Sequence, residues 1–266
     1  LDYWRGLAAT AAIVLSVGGV AEEMARIEGV NYIKGKPGPG ELTLNYQRAP
    51  ELERKGVQVK ADGEGRFVFE SVHPGEVMVG RFVEVVQTKG KATFPKWTIS
   101  HTCTVFTRSG ETAHVEIGKP GSTLAGQLVQ PEDAKIEIGW QAGGDRRLSS
   151  TSDTRAPEGL SEAEQQDWWK EYQVSDVAKK ERGKWHVYVV NVEADGRFHV
   201  ADVEPGNYDL FITVDDANKR SGGLGVGHVS RVVNIPEGKD VDLGAVTIEL
   251  YEQRVEKATG TQRKAE

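Results

Sequence analysis

The chain has 266 residues, enough for two domains of ordinary size. Its formal net charge of −7 and its scattered basic pairs (Arg146-Arg147, Lys179-Lys180, Lys219-Arg220) exclude a broad nucleic-acid surface, so no nucleic-acid partner is expected. A single cysteine, Cys103, excludes an intramolecular disulfide and a multi-cysteine zinc site.

The chain opens unlike the rest. Residues 6–21 are uncharged, with Arg5 before them and Glu22 and Glu23 after. The run is shorter than the roughly 20 residues that span a bilayer as a helix, and Tyr3 and Trp4 extend it as interfacial residues. Residues 1–25 are predicted to be an uncleaved membrane-anchor helix, with Arg5 at the cytoplasmic end and the globular part extracytoplasmic, periplasmic or at the cell surface. The competing reading is a signal peptide cleaved after Gly19-Val20-Ala21. Small residues dominate the run, and Ala8, Ala12 and Ser16 share one helical stripe. Such a stripe lets backbones approach closely, so the helix is expected to pack on membrane protein subunits as partners.

Residues 26–118 read as a first β-domain. Residues 34–40 are a loop by composition, and residues 41–46 are a strand with Leu42, Leu44 and Tyr46 on one face. Residues 51–56 are a charged loop. Then comes the stretch that defines the chain, because it occurs twice: Gly65-Arg66-Phe67-Val68-Phe69-Glu70-Ser71-Val72-His73-Pro74-Gly75 and Gly196-Arg197-Phe198-His199-Val200-Ala201-Asp202-Val203-Glu204-Pro205-Gly206. Apolar and polar residues alternate around Phe67 and Phe69, and around Phe198 and Val200, which is the period of a half-buried strand. Asp-Gly before each strand and Pro-Gly after it are turn dipeptides, so each copy is predicted to be a β-hairpin with Phe67 or Phe198 in the core. Residues 98–107, a strand holding Cys103 as a buried thiol, and residues 112–117 complete the domain. Residues 119–122 are a linker too short to let two domains swing apart.

The second domain, residues 119–250, carries extra chain. The opening glycine precedes the motif glycine by 36 positions in the first copy (29 to 65) and by 70 in the second (126 to 196). The surplus is placed in an insert over about 143–184. Its first part, 143–159, reads as a mobile polar loop. Its second part, about 160–180, reads as a helix capped by Ser161 with Glu164 three residues on. Trp168 and Tyr172 fall on one helical face and Trp169 on another. Either that face packs on its own domain or the three aromatics form a surface that stacks on sugar rings. Residues 222–227 are a Gly-rich hairpin loop without the Lys-Ser/Thr end of a phosphate loop. Residues 251–266 are a polar tail without apolar periodicity.

The doubled motif resembles the carboxypeptidase regulatory-like domain, a transthyretin-like (prealbumin-like) β-sandwich. The resemblance extends to the opening strands, Ile27-Glu28-Gly29-Val30 and Leu124-Ala125-Gly126-Gln127-Leu128, and to the closing ones, 114–117 and 243–248, so it covers about residues 26–250. It implies an all-β fold of two tandem sandwiches, preceded by the hydrophobic helix and carrying a helical insert in the second. It also implies a non-catalytic role in an extracytoplasmic protein. Relatives of this kind sometimes precede a thioredoxin-like domain, but no C-x-x-C occurs here.

Neither the dispersed histidines nor any G-x-S-x-G elbow supports a catalytic or metal site, so no catalytic, cofactor-binding or metal residues and no cofactor are predicted. The expected function is a non-enzymatic, membrane-anchored scaffold or accessory subunit of a membrane protein complex. The alternatives are a carbohydrate-binding module, with a glycan partner at Trp168, Trp169 and Tyr172, or the accessory region of a larger enzyme.

Overall fold

A computed structural model describes residues 23–46, 56–89, 92–132, 134, 137–142, 144–152, 154–217 and 225–251. They form two β-sandwiches built on one plan. In the first, β1 (Ala25–Ile33) lies between β5 (Arg66–Val72), antiparallel to it, and β8 (Thr112–Ile117), parallel to it, and its end pairs with the two-residue strand β2 (Lys36–Pro37). Facing this sheet are β7 (Ala92–Thr107), β6 (Gly75–Lys89), β3 (Gly40–Tyr46) and β4 (Val57–Ala61), paired in that order. In the second, β9 (Ser122–Val129) lies between β14 (Arg197–Val203) and β17 (Val241–Thr247), again antiparallel and parallel, with the two-residue strand β13 (Asn191–Val192) on the far side of β14. Facing it are β16 (Gly227–Ile235), β15 (Gly206–Asp216), β11 (Arg146–Ser150) and β12 (His186–Val189).

The repeat is exact in its irregularities. Ile27 opposes Phe69 and Ala25 opposes Val72, so the register slips between them; Leu124 with Val200 and Ser122 with Val203 slip at the same place. The motif glycines take positive φ, 76° at Gly65 and 85° at Gly196, a conformation that glycine adopts without steric cost. The carbonyl of each accepts the amide of the opening strand, Asn31 in one copy and Leu128 in the other. Phe67 and Phe198 are 3% and 2% exposed, one in each core. Each lies against its opening glycine: a Cβ on Gly126 would sit 2.6 Å from Phe198 Cζ, and one on Gly29 3.0 Å from Phe67 Cζ. A tyrosine hydroxyl caps each motif turn. Tyr46 accepts the His73 amide at 3.2 Å and Tyr188 accepts the Glu204 amide at 3.1 Å.

Three expectations need correction. The motif is not a hairpin: β5 and β6 belong to opposite sheets, as do β14 and β15, so Pro-Gly carries the chain across the sandwich. Alternation identifies a strand but not its partner. Residues 146–150 are not loop but β11, a strand paired on both sides, because Leu148 enters the core with no exposed surface. The helical part is two helices, α1 (Glu162–Val174) and α2 (Asp176–Arg182). Ser161 and Glu164 close the expected capping box on α1, and Ser175 ends α1 while capping α2.

The two sandwiches share one sheet. β12 pairs with β7, His186 opposite Cys103 and Val187 opposite Thr102, which joins the two four-stranded faces; with the two-residue strands β10 (Ile138–Gly139) on β15 and β18 (Glu249–Leu250) on β16 they make a continuous ten-stranded sheet. The β6–β7 hairpin runs on past the first core to the second sandwich, where the Thr88 amide donates to Gln141 O at 3.0 Å. Among the described residues no helix is long and apolar enough to cross a membrane. Residues 1–22 of the predicted anchor, with Ala8, Ala12 and Ser16, and residues 252–266 of the polar tail lie outside the described residues, while Ala25, at the end of the predicted anchor, is the first residue of β1 and is buried in the core.

Candidate functional site

The chemistry of the molecule concentrates where the sandwiches meet. Arg81 follows Gly80 at a register slip in β6, between Val79 and Arg81. Its guanidinium, largely out of water, donates to the carbonyl of Tyr32 and pairs with Asp202 of the second motif at 3.7 Å. Asp202 also accepts the Lys34 amide at 2.8 Å. His101 stands beside the pair, its Nε2 3.0 Å from both Arg81 Nη2 and Ala201 O. A neutral ring serves one of these at a time, the tautomer deciding which. Ser100 Oγ lies 2.9 Å from His101 Nδ1 and accepts the Val189 amide of β12 at 3.0 Å. The rings of Tyr188 and His101 meet edge to face, centroids 5.0 Å apart.

Burial sets the electrostatics. Desolvation, and then the charge of Arg81, lowers the His101 pKa to about 3, so the imidazole is neutral at pH 7. Desolvation lowers Arg81 as well, opposed by Asp202. The thiol of Cys103 is buried and pushed up to about 12, which makes it a packing group, not a nucleophile. The described non-glycine residues with positive φ are Lys34, His101 and Asp202, at 52°, 53° and 57°. All three belong to this network. Left-handed backbone at such residues costs of order 1 kcal/mol or more each and persists only where the surroundings impose it.

A second layer of contacts reinforces the seam. α2 reaches back to the first sandwich, where Arg182 Nε binds Glu76 at 2.8 Å and its guanidinium lies over the Phe106 ring. Lys119 of the linker binds Glu204 at 3.1 Å, and His186 Nε2 lies 3.7 Å from the same carboxylate. Beside these groups is a cleft of about 1300 Å³ between the sandwiches, with Phe106 and Trp185 exposed on its walls.

The aromatic trio lies elsewhere. α1 has no fully buried residue, and Trp168 and Tyr172 on its aromatic face are half-buried. Trp168 and Tyr172 stack on each other, centroids 5.0 Å apart and planes within 5°, with Trp169 edge-on to both. The Tyr172 hydroxyl donates to Glu181 of α2, which also accepts from Thr154. This tyrosine and the shared Ser175 cap tie α1 to α2. Among the described residues no group of three His, Cys, Asp or Glu side chains is placed to hold a metal ion.

Sequence reasoning missed Arg81, His101 and Asp202. The available signals were Gly80 inside a strand and an aspartate in the second motif where the first has Ser71.

No family model and no curated protein matches the chain. Among solved structures it is similar to a minor pilin of Streptococcus agalactiae, at 12% identity and TM-score 0.25, covering 86% of this chain and 97% of that one. A streptococcal ancillary pilin gives 11% identity and TM-score 0.25 over 88% of this chain and 64% of that one. A shaft pilin of Lactobacillus rhamnosus GG gives 9% and 0.24 over 86% and 98%. Similarity at this level bears on neither family nor function.

Proposed function

We propose that the chain is a non-catalytic, extracytoplasmic scaffold, an accessory subunit held at a membrane by residues 6–21 and acting through protein contacts. The observation that supports it best is the seam. Two sandwiches are locked edge to edge by a shared sheet, a desolvated ion pair and three backbone positions of unfavourable conformation. Such a joint resists hinge motion and holds two outer surfaces at a fixed spacing, as a brace requires. The reading also draws on the resemblance of the repeats to carboxypeptidase regulatory-like domains. In it, residues 1–25, 26–118, 119–250 and 251–266 are anchor, first domain, second domain and tail.

The test is purification of the full chain from its native membrane in mild detergent. Stoichiometric co-purifying subunits are expected, lost in Ala12→Leu while both sandwiches stay folded. A chain that elutes alone, or a mature N-terminus at Glu22, would overturn the anchored-subunit reading. The rival is glycan binding at α1, motivated by the partly exposed Trp169 on a helix with no fully buried residue. Sugar-dependent quenching of tryptophan fluorescence, abolished by Trp169→Ala, would favour it.

A further inference from the structure

We propose that the cleft beside the seam receives an extended peptide strand of a partner protein, laid along β7 where β12 leaves it; this rests on the scaffold reading and names the binding mode. β12 is only four residues long, and its pairing with β7 ends at His186 opposite Cys103. Both of its neighbours continue. β7 runs on to Thr107, and among the described residues it has no strand partner beyond Cys103 on the side away from β6. On the other side, the chain after β11 continues as Thr151 and Ser152, which line the same cleft. The line of β12 is not continued by its own chain, because residues 183–185 form the turn that ends α2, with the Trp185 amide donating to Arg182 O at 2.9 Å.

The cleft therefore prolongs an interface the molecule already makes. A strand placed there would add to the ten-stranded sheet along the edge to which β12 is already paired. Free strand edges carry backbone donors and acceptors that favour pairing with another chain, and strand addition satisfies them with little dependence on sequence. The floor suits side chains of alternating character. There the first sandwich is open at its flank, and Val105, Ala113 and Val115 are only half-buried. β8 offers a second free edge along that floor, since among the described residues it pairs with β1 alone. Phe106 and Trp185, 36% and 42% exposed, provide two apolar contacts at the rim. Lys184 and Glu116 line the same cleft with opposite charges, so the lining does not select a uniformly charged ligand. A peptide of mixed composition meets these conditions, and the backbone edge favours it over a glycan.

The test uses the full chain and a pooled library of blocked heptapeptides with alternating β-branched residues, read by hydrogen exchange and mass spectrometry. Binding members should slow exchange in residues 104–107 by about tenfold or more, as new backbone hydrogen bonds do. The same peptides N-methylated at alternate amides should give no protection, and Trp185→Ala should weaken binding by about tenfold. The inference is overturned if no member protects 104–107, if methylated peptides bind equally well, or if cellohexaose quenches Trp185 while peptides do not. Co-purification of subunits with the native chain is independent of these readouts. Subunits present without peptide protection would remove the strand-addition mode and leave the scaffold reading standing; subunits absent would remove the scaffold reading itself.

Discussion

The substitution Asp202→Asn isolates the charge at the seam. Asparagine tolerates the left-handed backbone of this site and keeps an oxygen for the Lys34 amide. It replaces the anion facing Arg81 with a neutral amide; the Arg81 side chain is 9% exposed against 7% for Asp202. At 3.7 Å, with an effective dielectric constant of about 20, the lost attraction is about 4.5 kcal/mol. Losing one partner of a buried pair typically costs about 3–5 kcal/mol, and the hydrogen bonds that asparagine retains place the expectation near 3. For a chain of this size that corresponds to a fall in Tm of about 6–12 °C. Asp202→Ala should cost about 1–2 kcal/mol more, since it also leaves the Lys34 amide unpaired and puts alanine at positive φ. The assay is guanidinium unfolding followed by circular dichroism, with a double-mutant cycle through Arg81→Met that should return about 2 kcal/mol of coupling. A loss of stability under about 0.5 kcal/mol, the range of ordinary surface substitutions, would refute the claim that a desolvated ion pair holds the seam.

The other predictions are independent of that charge. His101 has its folded pKa lowered to about 3, so its contribution to stability should be level above pH 6.5 and fall by up to about 1.4 kcal/mol per unit as pH drops from 6.5 towards 3. The variant His101→Asn should flatten that slope, and an unchanged pH profile of the unfolding midpoint would show the imidazole to be solvated. Phe67→Ala and Phe198→Ala should each cost about 3–5 kcal/mol in denaturant unfolding, equal within error because the two rings occupy equivalent cores; a loss under 1 kcal/mol in either would break the equivalence. Ser161→Ala should weaken α1 by about 1 kcal/mol, read as faster amide exchange in residues 162–165 and not as a change in global midpoint.

Much of the architecture was legible because it is local. Strand alternation around Phe67 and Phe198, the motif glycines at positive φ and the Ser161–Glu164 capping box each depend on residues a few positions apart. Those short-range rules hold whatever the rest of the chain does. The doubling of the motif added a longer-range inference, two copies of one sandwich with surplus chain in the second, and both cores obey it. β11 escaped detection because one buried leucine, Leu148, gives no period to read. The Pro-Gly crossings read as hairpin turns in sequence because a turn dipeptide says where the chain bends and not which sheet it enters.

The seam, by contrast, belongs to the tertiary structure alone. Arg81, His101 and Asp202 are ordinary polar residues in sequence, 20 and 101 positions apart. They become a buried network only when the edge of β7 meets the edge of β12. Edge pairing is decided by which sheet margins are left unpaired after each sandwich has closed, and hydrophobic periodicity carries no record of that. The repeat and the fold class are thus properties of the sequence. The rigid joint and the cleft beside it arise from long-range packing, because burial and backbone strain exist only once distant strands have been brought together.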